Sequence, residues 1–174
     1  ALFLAGSERD IAGSVVLVTQ EGTRPLLVEV QALIDPSSLA NPRRLCVGLD
    51  AQRLVMLLAV LHRHGGVSLG GHDIFVNVAG GIRVMDSGAD AAVAAAVLSS
   101  LFNKNVPADT VCFGEVGLAG EIRPVQRGEE RLKEAAKLGF KRALISKGNK
   151  ISQKIPGLEI ITLLRVEDLV AWLE

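Results

Sequence analysis

The residues with the clearest chemical potential lie in Val84-Met-Asp-Ser-Gly-Ala-Asp90, where an apolar strand pattern gives way to an alanine-rich run reaching Phe102. Ser87 stands at the start of that run. A hydroxyl there is either a nucleophile aided by the helix dipole or a cap for free N–H groups. A nucleophilic serine needs a base within hydrogen-bond reach and donors for the oxyanion. His62 and His64 close the first predicted helix beside Gly65-Gly66, where an imidazole complements the helix C-terminus, and His72 lies in a turn. None occurs in a motif that would place it against Ser87, which leaves a serine–lysine arrangement as the catalytic option. Ser87 together with Asp86 reads better as a helix cap, contributing about 1 kcal/mol. Cys46 and Cys112 each fall inside a predicted strand without a second cysteine or histidine at ligand spacing, so they read as buried reduced thiols and no metal site is expected.

The elements that must position these groups follow from periodicity and turn chemistry. Residues 13–20 and 24–34 read as two strands joined at Glu21-Gly22-Thr23, and they should pair as a hairpin. A turn-rich loop spans 35–42, a strand 44–49, and Asp50 is the expected N-cap of a helix over 51–64 with Leu54, Leu57, Leu58 and Leu61 on one face. A strand over 73–79 leads to a helix over 89–102 whose small residues all round predict burial on more than one side. Then come a strand over 110–116, a reversal at Gly117–Gly120 and a return arm over 121–125. A helix over 129–138 ends at Gly139, strands follow at 142–145 and 158–163, and a helix at 166–173. The stretch 146–157 looks like a linker. With 174 residues, 49% hydrophobic, the chain suits one domain of α/β (α+β) type, a mixed sheet with covering helices. Its apolar runs are too short for a membrane span, and the reduced-thiol reading of Cys46 and Cys112 carries the expectation of a cytoplasmic location. The sequence does not begin with methionine and reads as a piece of something longer.

The segments around Asp86–Asp90, Phe113-Gly-Glu-Val-Gly-Leu-Ala-Gly-Glu-Ile-Arg-Pro-Val125 and Gly128-Glu-Glu-Arg-Leu-Lys-Glu-Ala-Ala-Lys137 resemble the proteolytic domain of Lon proteases. The resemblance implies the Lon proteolytic-domain-like fold (ribosomal protein S5 domain 2-like). In that family a Gly-Pro-Ser-Ala-Gly motif holds the nucleophile and a lysine in Gly-Leu-Lys-Glu-Lys is the base. Laid on the pattern, the nucleophile position falls on Gly88, with Ser87 one residue early, and the base position falls on Glu129. Lys133 lies a full turn further on. The resemblance therefore implies a vestigial dyad at Gly88 and Glu129 and no catalytic residue; a residual Ser–Lys protease is the alternative.

Longer strings, among them Glu21–Leu33, Leu57–Gly66, Asp73–Gly81 and Phe113–Val125, resemble the C-terminal domain of the family of bacterial recombination and repair ATPases called RadA or Sms. That resemblance implies a zinc finger and a RecA-like ATPase core ahead of a non-proteolytic Lon-like domain, so ATP, magnesium and zinc belong to parts outside this sequence and no cofactor is expected within it. Residues 1–10 would be the tail of the linker from the ATPase core, and 11–174 the Lon-like domain. The implied partners are further copies in a hexameric ring, DNA bound non-specifically, and a RecA-type recombinase; no membrane is implied. The implied role is DNA repair by ATP-driven branch migration in homologous recombination. Lys plus Arg and Asp plus Glu both number 19, so any DNA contact must be a local patch. Arg43, Arg44 and Arg127 are the DNA-binding candidates, with Arg24, Arg63 and Arg142 behind them. Adjacent arginines in a strand point to opposite faces, and Arg127 has Glu129 and Glu130 as rival partners.

Overall fold

A computed structural model describes residues 11–174; the predicted linker tail, residues 1–10, lies outside them. The elements in chain order are β1 (Ser14–Glu21), β2 (Arg24–Pro36), β3 (Arg44–Val47), α1 (Ala51–Arg63), β4 (His72–Val78), α2 (Asp90–Phe102), β5 (Thr110–Cys112), β6 (Glu115–Val116), β7 (Ile122–Arg123), α3 (Gly128–Lys137), β8 (Arg142–Ser146), β9 (Glu159–Leu163) and α4 (Val166–Leu173). Seven strands form one mixed sheet in the order β3-β4-β2-β1-β5-β8-β9, and β6 and β7 make a separate ribbon.

The hairpin forms as the turn residues require. Gly22 takes φ 60°, and β1 pairs with β2 antiparallel from Glu21↔Arg24 to Ser14↔Gln31. β2 runs two residues further than the sequence predicts, because β4 continues the pairing to Pro36↔His72. The expected strand at 44–49 ends early, at Val47. Gly48 follows at φ 86°, where a Cβ would lie 2.7 Å from both the Ile82 carbonyl and the Val78 Cβ. Asp50 caps α1 as expected, accepting from the Gln52 N–H at 3.0 Å. The predicted strand over 110–116 is broken. At Phe113-Gly114 the chain leaves the main sheet, a Cβ at Gly114 would lie 3.0 Å from the Ile122 methyl, and β6 pairs with β7 instead. The stretch read as a linker is an ordered crossover between the parallel strands β8 and β9, pinned where the Asn149 amide donates to the Val125 carbonyl at 3.0 Å.

β1 is buried at every residue from Ser14 to Thr19, so both of its faces are covered; α2 packs on it and so does α3. α2 is buried from Asp90 to Ser99, its alanines letting it seat deep against β1, β2 and β4. The core includes Leu17, Leu27, Ile74, Leu98, Phe113 and Leu144, all under 2% exposed. At the entrance to β1, Gly13 has φ 91°, and a Cβ there would meet the Ala32 carbonyl at 2.3 Å. Gly13→Ala is therefore expected to cost about 2–4 kcal/mol from backbone strain and overpacking. Urea denaturation measures it, and a loss below 1 kcal/mol would show that the hairpin shifts freely.

Candidate functional site

The turn that begins at Asp86 is held from three sides. Asp86 accepts from the Gly88 N–H at 2.9 Å, from Arg131 Nη1 at 2.6 Å and from the Thr19 hydroxyl at 3.3 Å. The cap is thus Asp86, and Ser87 is corrected to an exposed residue of the 3-10 turn Ser87–Ala89 whose side chain does no capping. Only a carboxylate can serve three donors at once, which is why the aspartate won the position. Burial pushes the Asp86 carboxyl up, and the hydrogen bonds from Arg131 and Gly88 outweigh it, leaving the group below its usual value.

Gly88 is buried, and its carbonyl accepts from the Gly114 N–H at 2.8 Å. A Cβ at Gly88 would lie 3.0 Å from the Val125 methyl and 3.1 Å from Arg131 Nη1. The cation facing the turn is therefore Arg131, on α3, its side chain only 3% exposed. Its Nε donates to the Gln126 carbonyl at 3.0 Å, its Nη1 also to the Val18 carbonyl at 3.1 Å, and the guanidinium stands 5.4 Å from the centre of the Phe113 ring. A guanidinium stays protonated in proteins and cannot take a proton from a hydroxyl. Glu129 points elsewhere, accepting from the backbone N–H and hydroxyl of Ser152, and those bonds hold its carboxyl below the usual range. Lys133 is exposed on α3.

The turn separates two hollows. An open polar cleft of about 720 Å³ is lined by Gln20, Met85, Asp86, Ser87, Arg127 and Arg131. Among the described residues the buried Gln20 carboxamide has no hydrogen-bond partner. A smaller apolar hollow of about 160 Å³ lies between α1 and α2. At its edge Arg53 forks onto Asp90, with Nε to Oδ1 at 2.8 Å and Nη2 to Oδ2. Asp90, 2% exposed, also accepts from the Val116 N–H at 2.9 Å, tying α2 to the β6–β7 ribbon. Burial raises the Asp90 carboxyl despite Arg53. Sequence reasoning missed both buried ion pairs. The usable signal was Arg131 itself, which sits with Gly128, Leu132 and Ala135 on the buried face of α3.

The arginines picked for DNA contact are spread over the fold and engaged. Arg43 pairs with Asp73 at 3.0 Å and covers the Phe75 ring at 5.4 Å, with its side chain 56% exposed. Arg44 donates to the carbonyls of His72 and Leu69, stapling β3 to the loop before β4. Arg127, in the left-handed region at φ 59°, pairs with Glu130 at 3.0 Å, not with Glu129. Arg24 and Arg63 are exposed, and Arg142 bridges Asp109 and Glu159. Cys112 is fully buried, which pushes its thiol up to about 12, and Cys46 donates to the Leu49 carbonyl at 3.3 Å. Among the described residues no group of three or more His, Cys, Asp or Glu is placed to hold a metal ion, and no helix is long and apolar enough to cross a membrane.

The Arg43 hydrogen bonds hold the Asp73 carboxyl at about 2, against an ordinary 3.8. A depressed carboxylate contributes stability above the unfolded value and loses it as pH falls through the folded one. Asp73→Asn is accordingly expected to flatten the acid limb of the stability curve between pH 4 and 2. Acid titration followed by circular dichroism checks it, and an unchanged limb would remove Asp73 from the acid response.

Residues 55–149, more than half of the chain, match the family model described as subunit ChlI of Mg-chelatase. Over nearly its whole length the chain is also similar to curated proteins named DNA repair protein RadA: 55% identical to that of Pseudomonas aeruginosa over 96% of the chain, and 53% identical to that of Haemophilus influenzae over 100%. The Escherichia coli protein of that name is 53% identical over 97%. The chain belongs to the ChlI family and is RadA-like. It spans 36–38% of the length of these three relatives and corresponds to their C-terminal part.

Proposed function

We propose that this RadA-like chain is a non-proteolytic, Lon-like domain of a cytoplasmic DNA repair protein, acting as a ring-forming scaffold, as a hexamer, with an auxiliary non-specific DNA surface. It would serve an ATP-driven branch-migration motor in homologous recombination, the motor residing in the rest of the protein. The observation that carries the reading is the pairing of Gly88 with Arg131: the nucleophile position has no side chain, and the cation facing it is a guanidinium already engaged by Asp86, Val18 and Gln126. Neither partner of a Ser–Lys dyad is in place, and Ser87, one residue away, is exposed with no base beside it among the described residues. Loss of hydrolysis leaves the fold free to serve as architecture. Scaffolding ranks above DNA contact because Arg43 and Arg127, the exposed candidates, already have carboxylate partners, and phosphates would have to displace them.

Incubating the chain with an unfolded protein substrate and a serine-reactive probe tests the first half; cleavage, or labelling of Ser87, would overturn it. DNA titration of an Arg43→Glu/Arg127→Glu variant at two salt concentrations tests the second. Weaker binding with a shallower salt slope is expected, and identical affinity and slope would remove the patch. Arg44 is left intact because its guanidinium staples backbone carbonyls.

A further inference from the structure

The walls of the apolar hollow between α1 and α2 are Leu54 and Leu57 of α1, Val84 and Ala89 on either side of the Asp86 turn, and Val93 of α2. Each is 5% exposed or less, so core side chains border a space of about 160 Å³. Protein interiors hold few voids larger than a water molecule. The sequence accounts for this one, since Ala89 ends at its Cβ and cannot fill it. A leucine-lined cavity of about 150 Å³ admits benzene.

The mouth carries charges that are already committed. Arg53 forks onto Asp90, Arg131 holds Asp86, and Asp50 caps the first turn of α1, where the helix dipole favours a carboxylate. An ionised ligand would leave water with no counter-ion to meet it. Met85, 80% exposed, stands at the same mouth. Its neighbours are fixed, because the Val84 N–H donates to the Gly48 carbonyl at 2.8 Å and Asp86 has its three donors. The backbone is therefore held while the unbranched thioether side chain can turn.

We infer that this hollow is a binding site for one small, uncharged, apolar molecule of benzene to indole size, with Met85 folding over it as a cover. The inference is independent of the scaffold reading and goes beyond it. Volume sets the upper limit, since drug-sized ligands occupy about 300 Å³ or more. The committed ion pairs exclude charged molecules. A side chain from a protein partner is a poorer fit, because the core of an interface is depleted of charged residues and this mouth is ringed by Asp50, Arg53 and Asp86. Met85 supplies the apolar contact on the solvent side, and a thioether against a ring is favourable. A bound molecule would touch α1, α2 and the Asp86 turn at once and so brace the two helices.

The sequence has two methionines, so methyl-labelled methionine gives one signal at the hollow, Met85, and one outside it, Met56. Titration with benzene and with indole is expected to move the Met85 methyl saturably in the millimolar range or tighter, within what so few heavy atoms can supply, and to leave Met56 in place. The thermal midpoint should rise in parallel. Benzylammonium and benzoate, the same ring with a charge, should bind at least about 10-fold more weakly. Ala89→Leu fills the hollow and should abolish the Met85 response, with circular dichroism reporting the fold. Met85→Ala changes only an exposed position and should weaken benzene about 3-fold, read by the midpoint rise. An unsaturable shift, a shift shared by Met56, or a midpoint that benzene does not raise would overturn the site, as would undiminished binding by folded Ala89→Leu. Charged rings that bind as well as benzene would overturn the ligand class. N-acetylphenylalaninamide binding as tightly as benzene would overturn the small molecule in favour of a partner's side chain, and unchanged affinity of Met85→Ala would overturn the cover.

Discussion

Arg131→Ala is expected to lower stability by about 3–5 kcal/mol, the usual cost of breaking a buried ion pair from one side. For a domain of this size that moves the thermal midpoint down by about 6–20 °C. The loss has separable sources. The Val18 and Gln126 carbonyls lose their donor, Asp86 keeps a charge with only Thr19 and the Gly88 N–H to compensate it, and the Phe113 ring loses the plane packed over it. Arg131→Lys keeps the charge but not the fork, so it should recover part of the loss and no more. The pH dependence identifies the carboxylate's share. Asp86 sits below its ordinary 3.8 in the folded protein, so its pairing contributes stability above that value and loses it as pH falls through the folded one. The difference between wild type and Arg131→Ala should therefore shrink as pH approaches 3. Urea denaturation at pH 7, 5 and 3 measures it. A midpoint within 2 °C of wild type would mean that the guanidinium is not what holds α3 to the Asp86 turn.

How much of this was legible beforehand depends on the range of the interaction responsible. The hairpin at Gly22, the Asp50 cap, the amphipathic face of α1 and the all-round burial of α2 are set by residues a few positions apart, and turn chemistry and periodicity give them directly. The break after Cys112 was not readable, because Thr110–Val116 keeps an apolar strand pattern throughout; what ends β5 is the partner switch to β7 and the close approach of Gly114 to Ile122. The site divides the same way. Pattern matching along the chain singled out Gly88 and Glu129, as the resemblance to Lon proteases implies. It could not rank Glu129 against Arg131, because which side of α3 faces the turn is fixed by packing against β1 and β2. The arginines chosen for DNA show the converse. Glu130 was in view as a partner of Arg127, three residues away on α3, whereas Asp73, 30 residues away along the chain, reaches Arg43 only through the fold.

The second large effect is expected at Asp90, with the opposite pH signature. Asp90→Ala removes the acceptor for the Val116 N–H and for both Arg53 nitrogens, so α2 loses its link to the β6–β7 ribbon. Arg53, 34% exposed, can turn to solvent, which limits the penalty to about 2–4 kcal/mol from the orphaned amide and the lost charge-assisted bonds. Asp90→Asn retains an acceptor oxygen for Val116 and should cost about half as much. Here burial dominates, and the folded carboxyl stands above 3.8 in spite of Arg53. The sign therefore reverses: a raised carboxyl favours the folded state most at low pH, and that advantage is lost as pH rises through the folded value. Asparagine never carries the charge, so the cost of Asp90→Asn should fall between pH 3 and pH 7, while that of Arg131→Ala rises over the same interval. Parallel urea titrations of the two variants decide it. If the Asp90→Asn cost grows with pH, Arg53 more than offsets the burial of the carboxylate, and the ion pair, rather than the Val116 hydrogen bond, is what fastens the ribbon to α2.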